Sequence, residues 1–149
     1  MRNSISTPLI SKRERAQRGH VIIESAFIFL AFFALVMGAF DFGQFLFLQQ
    51  ALLERGRFAA RWGAANNPTD TASIKNMVLY NQTADPPSGT ATYFNIPTTS
   101  VTVTTADSGT DNYRLTVLIS GYTYQMYALY IFGTYTGPPV NIVQPLGRF

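Results

Sequence analysis

Residues 19–48 read GHVIIESAFIFLAFFALVMGAFDFGQFLFL, which is the longest apolar stretch of the sequence. Between Val21 and Phe40 the only ionisable residue is Glu24. About 20 apolar residues, each adding about 1.5 Å, span the roughly 30 Å hydrocarbon core of a bilayer. A helix of this length in a water-soluble protein would carry a polar stripe, and this one carries almost none. The stretch therefore predicts one membrane-spanning helix over residues 20–48.

Charge is distributed unevenly on the two sides of this helix. The chain of 149 residues has a net charge of +3, yet residues 1–19 alone carry a net charge of +4. Basic residues mark the cytoplasmic flank of a membrane helix, so residues 50–149 are expected beyond the membrane. The chain after residue 19 has a net charge of −1, which argues against nucleic-acid binding because that requires a basic patch on the folded part. The lipid bilayer is therefore the first expected partner.

The helix is predicted to continue beyond the lipid to residue 66. Residues 49–65 are rich in Ala, Leu, Glu and Arg, which favour helices, and the Asn-Asn-Pro sequence at 66–68 supplies a stop. Gly56 and Gly63 each weaken an exposed helix by about 1 kcal/mol relative to Ala. Packing against neighbouring elements is therefore expected at both glycines.

Residues 67–149 are predicted to form a small head. An apolar face and a cap at Thr69 or Asp70 predict a short helix over 70–80, followed by a loop over 81–98. Alternating residues predict strands at 101–104, at 113–119 with an extension through Tyr124, and at 140–143, with a turn at 107–109. The apolar segment 126–132 is too short to span a bilayer, so it is expected in the core or, alternatively, in a patch for a partner or the membrane surface.

The expected fold class is α+β: a long membrane-spanning helix that extends past the bilayer, plus a head with a short helix and a small antiparallel β-sheet. Three parts are expected. They are a basic leader (1–19), a long helix (20–66, with 20–48 in the membrane and 49–66 beyond it) and a β-rich head (67–149).

Residues that carry catalysis are scarce. The only His is His20, and the chain has no Cys, so the head has no pair of a nucleophile and a His. Asp107 and Asp111 flank Ser-Gly-Thr, which is ordinary turn chemistry, with weak calcium binding as the alternative. No catalytic residue, cofactor or metal site is expected, and the chain is predicted not to be an enzyme.

The start of the apolar segment has a recognisable arrangement. Gly19 follows the basic leader, and Glu24 lies five residues later at the head of the apolar helix. This arrangement resembles the signal of type IV prepilins, which a prepilin peptidase cuts before the apolar segment. Arg18-Gly19, Glu24-Ser25-Ala26, Asp41 with Gly43, and Ala59-Ala60-Arg61 together resemble the TadE-like pilus-assembly family.

The resemblance implies a minor pilin or pseudopilin of the tight-adherence (type IVc, Flp) pilus system. It implies cleavage between Gly19 and His20 by the prepilin peptidase. The implied partners are other minor pilins, the major Flp pilin and the inner-membrane assembly platform. The chain would then lie in a bacterial inner membrane as a single-pass protein, with a cytoplasmic N-terminus and a periplasmic head that can enter the pilus.

Glu24, Asp41 and two pairs of small residues are candidates for assembly. A carboxylate near the end of a hydrophobic span is unfavourable unless it is paired or hydrated, so Glu24 is expected to pair with the new ammonium group of His20 or with that of a neighbouring chain. Glu24 would also lie in the first turn of the predicted helix, where the helix dipole favours an anion. Ala34 with Gly38, and Ala39 with Gly43, are small pairs that allow close helix packing. Asp41 is expected either as a solvated boundary residue or as an inter-subunit partner.

Two other interpretations remain open. The first is a membrane-anchored binding module, such as an adhesin or receptor, that never enters a filament. Alternatively, ordinary signal peptidase would cut after Gly38 and release a secreted protein. The mature N-terminus distinguishes the three.

Overall fold

The structure is a computed structural model that describes residues 12–125 and 134–146, with side chains from His20 onward. One long helix, α1 (Lys12–Ala65), is followed by a short helix, α2 (Thr71–Tyr80). Five strands follow: β1 (Val101–Ala106), β2 (Arg114–Ile119), β3 (Thr123–Gln125), β4 (Thr134–Thr136) and β5 (Val140–Pro145). The predicted α+β class is confirmed. The predicted apolar segment 126–132 lies outside the described residues.

The long helix begins earlier than the sequence predicted. It is continuous from Lys12, before the predicted start at His20, and it ends at Ala65, next to the predicted stop. At about 1.5 Å per residue, its 54 residues extend for roughly 80 Å. The helix therefore runs without interruption from the basic leader through the apolar segment to the far end of the head.

The head packs on one face of the upper half of α1. Its core residues on α1 are separated mostly by one or two helical turns, which keeps them on one face of the helix. These residues are Phe45, Leu48, Leu52, Ala59 and Ala60, and they are all buried. The small residues Gly56 and Gly63 lie on the same face and touch the side chains of Ile142 and Ile74, respectively. The packing expected at both glycines is therefore present, because the missing Cβ lets the head approach closely.

A three-stranded antiparallel sheet covers this face, in the order β1-β2-β5. The central strand, β2, buries Leu115, Val117 and Ile119, whereas the residues between them are more exposed. Val117 lies opposite Val103 on β1 and opposite Ile142 on β5. This alternation follows from the two-residue period of a strand, and it confirms the predicted small antiparallel sheet.

Helix α2 closes the other side of the core. The Asp70 side chain accepts a hydrogen bond from the Ser73 backbone N–H at 3.1 Å, so Asp70 is the N-cap. This bond holds the pKa of Asp70 below its usual value of 3.8. The helix ends at Tyr80, and its C-cap residue, Asn81, takes the left-handed conformation with φ 60°. The short helix predicted over 70–80 is therefore confirmed.

The predicted extension of the second strand through Tyr124 is wrong. Gly121 has φ 71°, and the chain turns there, so β3 pairs with β4 in a separate two-stranded sheet. The buried Tyr122 lies between the two sheets and donates a hydrogen bond from its hydroxyl to the Pro138 carbonyl at 2.9 Å. Burial raises the pKa of Tyr122 above its usual value of 10.0. A Cβ at Gly137 would collide with the Tyr122 ring, so that close approach requires glycine.

Candidate assembly site on the long helix

The lower part of α1 carries no part of the head. From Val21 to Phe40 every large apolar side chain is 45–72% exposed. Among the described residues, one helix is long and apolar enough to cross a membrane, and it is this one. The arrangement fits a single-pass membrane anchor, because lipid is the environment in which so much exposed apolar surface is stable.

The predicted cleavage position lies inside this continuous helix. The Gly19–His20 peptide bond is helical, with about two turns of helix before it. Glycine weakens a helix interior by about 1 kcal/mol relative to Ala, so the helix is locally weakest at the bond that would be cut. His20 itself is exposed.

Glu24 is exposed on the bare part of the helix. Its predicted first-turn position is wrong for the uncut chain, because α1 begins at Lys12 and Glu24 lies about three turns further on. Cleavage after Gly19 would make His20 the first residue of the helix and place Glu24 in its first turn or just after it. The ion pairs among the described side chains are Glu54 with Arg57 and Asp107 with Arg114, so Glu24 has no cationic partner there. Its carboxylate is positioned to interact with a group outside the described chain.

The small residues divide between two faces of the helix. Ala34 and Gly38 lie below the head on the face that bears it, since 34, 38 and 41 are spaced by four and three residues. Gly43 is rotated by about 200° from position 41, onto a side of the helix that borders Phe94 and Asn95 of the head. No atom lies within 4 Å of a Cβ built at Gly38 or at Gly43. Both glycines therefore leave room for another helix, but they would receive it on different sides.

Asp41 does not fit the prediction of a solvated boundary residue. Its exposed fraction is 3%, so it is buried within the chain, at the lower end of the face that bears the head. It is therefore not presented on the surface to the Arg of a neighbouring subunit. Sequence spacing alone did not reveal this burial.

A groove opens where the head meets the helix. Its volume is about 920 Å³, and its floor is made by Ala39, Phe40, Gly43 and Phe47 of α1. One wall is Phe94 and Asn95, and the other includes Tyr124 and Thr134 of the two-stranded sheet. Sequence reasoning missed this groove, because the loop and the second sheet meet the helix only through the tertiary fold.

Contacts between α1 and the loop that joins α2 to β1 hold the wall of the groove that Phe94 and Asn95 form. The Arg55 guanidinium lies 3.7 Å from the centre of the Tyr93 ring, and it donates a hydrogen bond to the Val78 carbonyl at 3.5 Å. Tyr93 in turn packs against Phe94, with ring centres 4.3 Å apart. Arg55 is therefore a structural residue that ties the loop and α2 to the long helix.

The acidic residues of the head do not gather into a metal site. In residues 20–125 and 134–146, no group of three or more His, Asp or Glu side chains is placed to hold an ion. Asp107, one of the two residues considered for calcium, lies 3.1 Å from the Arg114 guanidinium. Its φ of 58° and the φ of 82° at Gly109 form the turn between β1 and β2.

Comparison with known proteins identifies one family. Residues 19–61 match the family model described as TadE-like protein. No curated protein and no solved structure matches the chain. The matched segment begins at Gly19, contains the whole bare span and ends on the head-bearing part of α1. The resemblance to the TadE-like family that the sequence indicated is thus confirmed over residues 19–61.

Proposed function

We propose that the chain is a minor pilin or pseudopilin that takes part in assembly of a type IVc (Flp/Tad) pilus. The observation that carries this proposal is the bare apolar span, matched to the TadE-like family, with a folded head on one side of the same helix. A filament subunit needs an apolar rod that can exchange lipid for the rods of its neighbours. The role is structural, and it involves no catalysis.

In this proposal a prepilin peptidase cuts between Gly19 and His20 and leaves residues 20–149. The new ammonium group at His20 then lies on the same helix face as Glu24, four residues away. Glu24 would now be in the first turn, where the helix dipole favours a carboxylate. Pairing with this ammonium group, or with that of a neighbouring subunit, lowers the cost of holding Glu24 in an apolar environment.

The partners and the location follow from the same proposal. The N-terminus is cytoplasmic and the head periplasmic while the chain waits in the inner membrane. Other minor pilins, the major Flp pilin and the inner-membrane assembly platform then contact the bare span. Ala34 and Gly38 offer the closest approach below the head, and Gly43 offers it on another side of the helix, at the groove beside the head. Asp41 is buried and would instead fix the lower edge of the head.

The mature N-terminus tests the processing step. The full chain is expressed in a host with its prepilin peptidase, and intact-mass spectrometry is performed on the membrane and soluble fractions. A start at His20 is expected. An intact leader would favour the membrane-anchored binding module, and a start at Ala39 in the soluble fraction would favour a secreted protein. Either of these results refutes the proposed processing.

A matched pair of variants tests the assembly role of Glu24. Glu24→Ala should reduce incorporation into sheared pili at unchanged membrane abundance. Glu54→Ala is the control, because it removes an exposed carboxylate from the same helix, where Glu54 pairs only loosely with Arg57 at 3.7 Å. Equal incorporation of both variants would show that the carboxylate of Glu24 has no part in assembly.

A further inference from the structure

An aromatic rim surrounds the helix where the head begins. Phe47 of α1 meets Phe94 of the loop edge to face, with ring centres 6.2 Å apart. On the other side Phe45 meets Tyr135 of β4 in the same manner, at 5.1 Å. We propose that this rim, defined by Phe47, Phe94 and Tyr135, seats the head on the outer surface of the bilayer that α1 spans, so that lipid headgroups contact the head itself.

The depth of the rim follows from the apolar surface of the helix. Large apolar side chains remain exposed past Phe40, at Phe42, Leu46 and Phe47. From Ser25, just after Glu24, a hydrocarbon core of about 30 Å ends near Gln44. Phe47 then lies about 4.5 Å further out, within the headgroup layer, which is roughly 5–7 Å thick on each side.

The charge of Glu24 favours this position over one centred on residues 21–40. Moving the span toward the head keeps the Glu24 carboxylate in the inner headgroup layer and out of hydrocarbon, which is the costly environment for a charge. The same shift takes Phe42, Leu46 and Phe47 out of water, while Val21, Ile22 and Ile23 move into the inner headgroup layer. The exchange of apolar side chains is therefore close to even, and the carboxylate decides the position.

Two polar side chains of α1 at this level, those of Asp41 and Gln44, are compatible with lipid. Asp41 is buried within the chain and not directed at lipid. The Gln44 side-chain oxygen accepts a hydrogen bond from the Tyr124 hydroxyl at 3.3 Å. Polar groups at membrane depth are stable when they are covered or paired by protein in this manner. The helix can therefore enter the bilayer as far as the edge of the head.

Phe94 is the residue whose position the fold of the head explains least. Its φ is 52°, a left-handed conformation that is unfavourable for an aromatic residue, yet the residue is 47% exposed. A strained residue that gains little burial in return is a candidate for function. Contact with the bilayer would bury the exposed part of the ring.

Depth-dependent quenching tests the proposal. Because the chain has no Cys, single-cysteine variants Phe94→Cys, Thr134→Cys, Leu30→Cys and Ser108→Cys can each carry one environment-sensitive fluorophore. Full-length protein is placed in vesicles of phosphatidylethanolamine and phosphatidylglycerol that contain spin-labelled lipid. The label on the lipid is either near the headgroup or near the end of the acyl chain. Leu30 is the mid-span control, and Ser108 lies in the turn at the far end of the head.

The expected pattern is specific to each position. The fluorophore at Phe94 should be quenched more by the shallow lipid label than by the deep one, and the one at Leu30 should show the reverse order. The fluorophore at Ser108 should be quenched by aqueous iodide and by neither lipid. Thr134 lines the same groove on an exposed strand, so it replaces Phe94 if the Phe94→Cys variant fails to fold, as judged by Trp62 emission.

Two results would overturn the proposal. If the fluorophore at Phe94 behaves like the one at Ser108, the head stands clear of the bilayer. If it is shielded from both lipid and iodide, protein covers the rim, such as the helix of a second copy. The measurement needs neither leader cleavage nor a filament, so its outcome is independent of the proposed pilus function.

Discussion

Gly63 offers a quantitative test of how the head is attached to the long helix. A Cβ placed there would lie 2.5 Å from Cδ1 and 2.8 Å from Cγ1 of Ile74, and 3.0 Å from Cδ2 of Leu115. Ile74 and Leu115 are both fully buried, so neither side chain can move away into solvent. Gly63→Ala gains about 1 kcal/mol of helix propensity. Overpacking of a core costs about 1–3 kcal/mol, so we expect a net loss of up to about 2 kcal/mol.

Trp62 provides the assay. It is the only Trp in the chain, is adjacent to Gly63 and packs against the core, so its emission reports on the attachment of the head. Urea unfolding of the full chain in detergent micelles should show a lower midpoint for Gly63→Ala than for the wild type. Gly43→Ala is the control, because no atom lies within 4 Å of a Cβ at that position. It should not lower the midpoint.

A double-mutant cycle locates the clash. Ile74→Val removes the Cδ1 atom, and alone it should cost about 0.5–1.5 kcal/mol. In the Gly63→Ala background the same change removes the closest contact, so its cost should fall by about 1 kcal/mol or more. A Gly63→Ala chain that is as stable as the wild type, or an additive cycle, would refute the view that close packing requires glycine at this position.

Two further predictions follow from pKa shifts in the head. The lowered pKa of Asp70 means that its cap stabilises α2 above pH 3.8 and that this contribution is lost as the pH falls through the lowered pKa, so Asp70→Ala should destabilise the head at neutral pH and flatten its acid unfolding curve. The raised pKa of Tyr122 means that its contribution is present below pH 10.0 and is lost as the pH rises through the raised pKa. Tyr122→Phe should therefore cost about 1 kcal/mol at neutral pH, by loss of the hydrogen bond to Pro138, and should reduce the loss of stability in alkali. Trp62 emission across a pH series measures both, and parallel curves for variant and wild type would contradict either prediction.

The elements that were predicted correctly are those with a strong local pattern. The apolar span, the stop at 66–68, the cap at Asp70 and the alternation in β2 each depend on residues close together in the chain. The long helix was predicted to start later than it does, because the basic leader was not recognised as helical. The segment 12–18 contains Lys, Arg, Glu and Ala, which all favour helices.

The features that were missed depend on contacts between distant residues. The burial of Asp41 and the left-handed conformation of Phe94 were not predicted, because no nearby residue in the sequence indicates either. Tyr122 was placed in an extended strand, since its neighbours alternate like those of a strand. The turn at Gly121 and the close approach of Gly137 decide otherwise. Of the candidate assembly residues, Glu24, Ala34 and Gly38 lie on the bare span, Gly43 lines the groove and Asp41 is buried. Their role in assembly stays a prediction.

The unbroken helix α1 also couples rotation of the span to the direction in which the head points. The helix is continuous through Phe40 and Asp41. A neighbouring subunit that binds the span in one orientation would therefore also fix the orientation of the head about the helix axis. One residue inserted after Phe40 would turn the head by about 100° about the helix axis and lift it by about 1.5 Å. Four inserted residues would raise the head by about 6 Å and return its orientation about the helix axis to within about 40° of the original. A rotation of the span about the helix axis would therefore rotate the head by the same angle.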